Sequence, residues 1–105
     1  MSDFIRVAAA SDLPDPGRLM LEVDEEFVVL FHVDGQFHCI DDVCTHDGGP
    51  LGEGHLCNHA IACPRHGAKF DIRSGKALTM PATQATRVHE VKVDGDDIFV
   101  KIVDN

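Results

Sequence analysis

FVVLFHV at residues 27–33, Asp34-Gly35, and QFHCI at residues 36–40 form the stretch on which the fold turns. Both flanking runs are dense in β-branched and aromatic residues, which suit the pleated, half-buried surface of a strand. The Asp-Gly pair between them accepts the positive φ angles of a tight two-residue turn. The stretch therefore predicts an antiparallel hairpin. The same grammar returns near the C-terminus, where VHEVKV at residues 88–93 is followed by Asp94-Gly95-Asp96 and IFVKIV at residues 98–103. Val91, Val93, Ile98, Val100 and Ile102 recur at every second position within their runs, the period of a strand with one buried face. Residues 4–8 and 18–23 are weaker strand candidates, and no segment sustains a helical apolar period. The expectation is one antiparallel all-β domain spanning residues 1–105.

Between the two hairpins lies a different region, residues 41–74. It holds Gly48, Gly49, Gly52, Gly54 and Gly67 with Pro50 and Pro64, together with Cys44, Cys57, Cys63, His46, His55, His59 and His66. Glycine at this density suits loops whose backbone closely approaches a bound group. Two motifs stand out: Cys44-Thr45-His46, and Cys63-Pro64-Arg65-His66-Gly67. Each offers one thiolate and one imidazole able to reach a metal centre from a single turn. Two such turns facing each other supply four ligands of mixed type. The same four residues would also suit a single tetrahedral zinc. A second zinc set, Cys39, Cys44, His55 and His59, exists on paper, but glycines and a proline precede its histidine pair where a finger-type site needs a helix. The plant-type ferredoxin spacing begins at Cys39 and Cys44 and fails at Asp47.

The two motifs resemble those of the Rieske ferredoxins and Rieske domains, C-x-H and C-x-x-H separated by about sixteen residues. The likeness continues through residues 46–51 (HDGGPL), 66–71 (HGAKFD), Ser74-Gly75 and Pro81-Ala82. It implies a [2Fe–2S] cluster with one iron on Cys44 and Cys63 and the other on His46 and His66. It also implies ligand histidines at an exposed tip, a covering loop near Pro81, and a small cluster-binding subdomain of loops at about residues 41–75. The remaining strands would form antiparallel sheets or a partly open barrel as its base. In high-potential respiratory members a cysteine pair bridges the two loops; the matching positions here are Gly49 and Arg65. Their serine and tyrosine donors correspond to Ala68 and Phe70. Two thiolates with two neutral imidazoles leave the oxidised cluster uncharged, where four thiolates would leave it doubly negative, so the potential exceeds that of all-cysteine clusters. Without the hydroxyl donors it should fall at the low end of the Rieske range.

Composition bounds the rest. The chain has 105 residues and a formal net charge of −9. That acidity disfavours nucleic acid and anionic membranes as partners and suits docking to a basic protein surface. No apolar run approaches a membrane span. The N-terminus begins acidic, and its longest apolar stretch is broken by Ser11, Asp12, Pro14 and Pro16, unlike a secretory signal. A reducing, cytoplasmic location is expected, in which cysteines favour metal chemistry over disulfides. Cys39 is expected to be a small buried apolar residue and Cys57 a free thiol; His32, His38 and His89 fall in strands.

No glycine-rich nucleotide fingerprint is present, nor a second domain for a mononuclear iron. The expectation is an electron-transfer protein, not itself an enzyme. As a monomer it would take one electron from a ferredoxin reductase and pass it to a terminal oxygenase through transient contacts. Two alternatives remain open from sequence: a small Rieske subunit of an assimilatory nitrite reductase-like complex, and a zinc-binding structural module without redox activity.

Overall fold

A computed structural model describes residues 3–45, 48–80 and 84–103. Among the described residues nine strands follow one another: β1 (Ile5–Ala9), β2 (Gly17–Val23), β3 (Glu26–Val33), β4 (Gln36–Asp41), β5 (His55–Cys57), β6 (Ala60–Ala62), β7 (Lys69–Asp71), β8 (Val88–Asp94) and β9 (Asp97–Lys101). A single short 3-10 turn, Ala10–Asp12, separates β1 from β2. The strands form a six-stranded sheet in the order β1-β9-β8-β4-β3-β2 and a three-stranded sheet in the order β5-β6-β7. All the pairings are antiparallel. The larger sheet curls into a nearly closed barrel.

The central hairpin forms where Asp34-Gly35 predicts it. Val33 lies opposite Gln36, and Asp34 and Gly35 take φ of 56° and 76°, the doubly positive turn whose twist matches the flanking strands. Asp15 reinforces the turn, its carboxylate accepting from the Asp34 N–H at 3.0 Å and the Gly35 N–H at 2.6 Å.

β3 explains how one strand serves two cores. Val28 and Leu30 pack in the barrel interior with Leu13, Val23, Cys39, Ile98, Val100 and Ile102. Val29, Phe31 and Val33 point the other way, into a second core with Ile40, Leu51, Ile61, Phe70 and Ile72. A strand apolar on both faces reads as an uninterrupted hydrophobic run. β3 and β4 are thus a shared wall, with the barrel on one side and the lobe carrying β5–β7 on the other.

Two expectations need correction. Residues 41–74 were expected as loops, yet they contain β5, β6 and β7. These are three-residue strands, too short for alternation to register in sequence. Val93 was expected on a buried face and is exposed, although Ile98 opposite it is fully buried.

Candidate metal centre

The two cysteine turns share one backbone frame. In the first, the Gly48 N–H donates to the Cys44 carbonyl at 2.7 Å and the Cys44 N–H donates to the Gly49 carbonyl at 2.6 Å. In the second, the Gly67 N–H donates to the Cys63 carbonyl at 2.8 Å and the Cys63 N–H donates to the Ala68 carbonyl at 2.7 Å. Gly48 and Gly67 take φ of 76° and 74°. Nothing lies near a Cβ built at either position, so the requirement for glycine there is conformational and not a matter of space. The frames match residue for residue, although the histidine stands two positions after the first cysteine and three after the second.

Each frame is held from behind. The Asp42 carboxylate accepts from the Leu51 and Gly52 N–H groups, both at 2.7 Å, which pins the return of the first turn to its start. The Arg18 guanidinium reaches across from β2 to donate to the Gly52 carbonyl at 2.7 Å and to the Gly54 carbonyl. Gly54 is packed so tightly that a Cβ would run into the Ala62 carbonyl. The Thr45 hydroxyl donates to the Gln84 carbonyl at 2.6 Å, and the Thr86 N–H donates to the Gly75 carbonyl at 2.8 Å. The segment returning to β8 is therefore stitched to the first cysteine turn and to the turn that follows β7.

Burial divides the candidate ligands by type. Cys44 and Cys63 are 0% and 1% exposed and lie in the same apolar core as Leu51, Ala68 and Phe70. His66 is exposed on the second turn. His46 and Pro81 lie outside the described residues. Buried thiols beside an outward imidazole suit a pair of metals with unlike surroundings. The donor set fits a binuclear iron–sulfur cluster. Ala68 and Phe70 are wholly buried in that core and bring no hydroxyl to it.

The remaining cysteines and histidines separate from the site. Cys39 faces the barrel interior, and burial, with the Asp41 charge adding to it, pushes its thiol pKa up to about 12; it stays protonated and inert near neutrality. Cys57 is exposed at the end of β5. Both are free thiols. The second zinc set does not assemble: among the described residues Cys39, Cys44, His55 and His59 form no group able to hold an ion, and Cys39 faces the barrel interior. His89 is buried and hydrogen-bonded to Asp41 at 2.7 Å.

His38 lies at the seam between barrel and lobe, edge-to-face with His59 at 6.3 Å between ring centroids. Its Nε2 is buried with no hydrogen-bond partner among the described residues. Burial, then the charges of His59 and Arg73, hold its pKa below the usual 6.5, against a smaller opposing effect of Asp71. An unfolded chain therefore takes up this proton before the native one does. Its effect on stability is absent above about pH 6.5 and grows as pH falls towards the lowered native value. His38→Leu should flatten the decline in stability between pH 7.5 and 5 measured by chemical denaturation; an unchanged pH profile would count against it.

Asp42, Arg18 and Thr45 are site residues that sequence reasoning missed. Only Asp42 carried a signal, an aspartate just ahead of a glycine-rich turn, where its carboxylate readily accepts backbone N–H groups.

The Rieske [2Fe-2S] domain family matches residues 3–101. The chain is 37% identical over 97 residues, 91% of each protein, to the 3-phenylpropionate/cinnamic acid dioxygenase ferredoxin subunit of Photorhabdus laumondii. It is 35% identical over 99 residues to the subunit of the same name from Escherichia coli K12, covering 93% of this chain and 92% of that one. Among solved structures, the ferredoxin of carbazole 1,9a-dioxygenase from Nocardioides aromaticivorans superposes with a TM-score of 0.89 at 28% identity, covering 92% and 95% of the two chains. A chain from a complex of reduced oxygenase and oxidized ferredoxin in carbazole 1,9a-dioxygenase gives 0.86 at 32% identity, covering 92% and 91%. With its paired cysteine–histidine turns set on this barrel, the chain belongs to the Rieske [2Fe-2S] domain family.

Proposed function

We propose that this chain is a one-electron carrier of the Rieske ferredoxin type, taking electrons from a ferredoxin reductase and delivering them to a terminal oxygenase. The observation that carries this is near end-to-end likeness to ferredoxin components of dioxygenase systems, 91% of each chain at 37% identity, in a molecule built around the twin turns. Cys44 and Cys63 would hold one iron and His46 and His66 the other. The bound cluster supplies a reversible one-electron couple.

The chain's own residues do the rest. The twin turns fix where the thiolates stand, and the shared core around Leu51, Ile61 and Phe70 keeps water from them. The exposed turn at His66 gives a partner the short approach that electron transfer needs. The whole of residues 1–105 acts as a single Rieske domain, its lobe at about residues 41–75 carried on the barrel. No helix of the described residues is long and apolar enough to cross a membrane. We place the protein in the cytoplasm as a monomer, meeting its partners through small transient interfaces.

The test is reconstitution. The reduced holoprotein should pass electrons to a dioxygenase oxygenase component and be reduced again by NADH through a ferredoxin reductase. Failure of both transfers, or co-purification with a sirohaem enzyme, would overturn the proposal. A low potential is also expected, because Ala68 and Phe70 present no hydroxyl. Redox titration should give a value below zero, and Ala68→Ser with Phe70→Tyr should raise it; a wild-type value well above zero would refute this.

A further inference from the structure

The net charge of −9 is not spread evenly. Residues 44–80 carry four basic and three acidic side chains, whereas the rest of the chain carries five basic and fifteen acidic ones. This stretch, which leaves out Asp41 and Asp42 at the end of β4 and takes in Lys76, is slightly positive, and the rest of the chain is strongly negative. At physiological salt, charges are screened beyond about 8 Å. A partner touching the lobe experiences the lobe's charge and not the total.

The lobe's outer face shows what a partner meets. His55 pairs with Ala62, and Ala62 pairs with Lys69, in one row across β5, β6 and β7. The neighbouring row, Leu56, Ile61 and Phe70, points into the core. The His55–Lys69 row therefore faces outward, at the strand ends adjoining Cys63. Beyond β7 the sheet is extended by a bridge between Phe70 and Ala77 and by the Leu78 N–H donating to the Lys69 carbonyl at 2.7 Å. Ala77 packs inward, which turns Lys76 and Leu78 to the outside. Leu78 is 47% exposed and Met80 is 76% exposed. No ion pair among the described residues engages Lys69 or Lys76.

We propose that this flank, with Leu78 and Met80 as apolar anchors and Lys69 and Lys76 as a cationic border, is the docking surface for the oxygenase. Its occupant is an oxygenase surface with an apolar hollow rimmed by carboxylates. The inference rests on the carrier function proposed above and sets the sign of the partner's charge, opposite to what the net charge alone suggests. Apolar anchors provide affinity, while the lysines orient the encounter and hold the acidic barrel away.

The test uses the holoprotein, its cluster content verified by EPR, with the oxygenase component of a 3-phenylpropionate/cinnamic acid dioxygenase. Wild type should reduce it, more slowly as salt rises. Lys69→Glu with Lys76→Glu should slow that reduction about tenfold at low salt, weaken binding by calorimetry to a similar extent, and reverse the salt dependence. Leu78→Ser should weaken binding without altering the salt dependence. Asp94→Asn with Asp96→Asn, at the far end of the barrel, should stay within about twofold of wild type. A double lysine variant as fast as wild type, or faster, would overturn the docking surface and leave the carrier function standing. A wild-type protein that transfers nothing would overturn both.

Discussion

Replacing His66 with alanine is expected to abolish the reducible visible chromophore while leaving the polypeptide folded. The residue is exposed and lies outside both apolar cores, so its loss leaves the packing of the polypeptide intact. As one of four proposed ligands, however, it is expected to hold an iron. Removing a residue that only orients a metal ligand typically lowers metal affinity about 10–100-fold, and removing the ligand itself should exceed that. Iron and sulfide per chain, with the EPR spectrum of the dithionite-reduced protein, measure the outcome. His46→Ala should behave alike. A native amount of reducible cluster in either variant would remove the ligand assignment and the carrier role with it.

The second large effect is thermodynamic. Asp41, at the end of β4, accepts from His89 Nε2 at 2.7 Å and from Arg87 Nη2 and Nε, both at 3.1 Å. The Val103 N–H donates to His89 Nδ1 at 3.1 Å, so the ring's other nitrogen carries the hydrogen that Asp41 accepts. Arg87 also donates to Glu26 and to the Val103 carbonyl. The His89 side chain is wholly buried and those of Arg87 and Asp41 mostly so. Asp41→Ala would leave a largely buried guanidinium short of its principal counter-charge and a buried N–H without an acceptor. Breaking such a pair costs about 3 kcal/mol, and denaturant titration at pH 7 should show a loss of that order. Asp41→Asn, which keeps an acceptor for His89 and loses the charge, should cost less. A loss below about 1 kcal/mol for the alanine variant would mean that Glu26 and water replace the carboxylate.

The barrel was legible because its signals are long. Seven- and eight-residue runs in β2, β3 and β8 leave room for apolar patterning, and Asp34-Gly35 and Gly95 mark turns by residue type. The turn at Asp24-Glu25 was not legible: both residues take positive φ, 52° and 67°, without the glycine that usually announces it. There, the pairing of Val23 with Glu26 at the mouth of a long ladder overrides local preference. The candidate ligands were legible because their chemistry is rare and closely spaced. Their supports were not. Arg18 and the loop carbonyls it holds are 34 and 36 residues apart in sequence, and nothing local in an arginine on a strand announces such a reach. The two-sided use of β3 was likewise hidden, since an unbroken apolar run says that both faces are covered without saying by what.

The twin turns also bear on which changes of sequence the site tolerates. Each closes through amide contacts four and five positions apart, made within itself, so the number of residues from the cysteine to its glycine is fixed by the backbone. Lengthening either span by one residue would sever both contacts at once, whereas exchanging a side chain inside it would leave them standing.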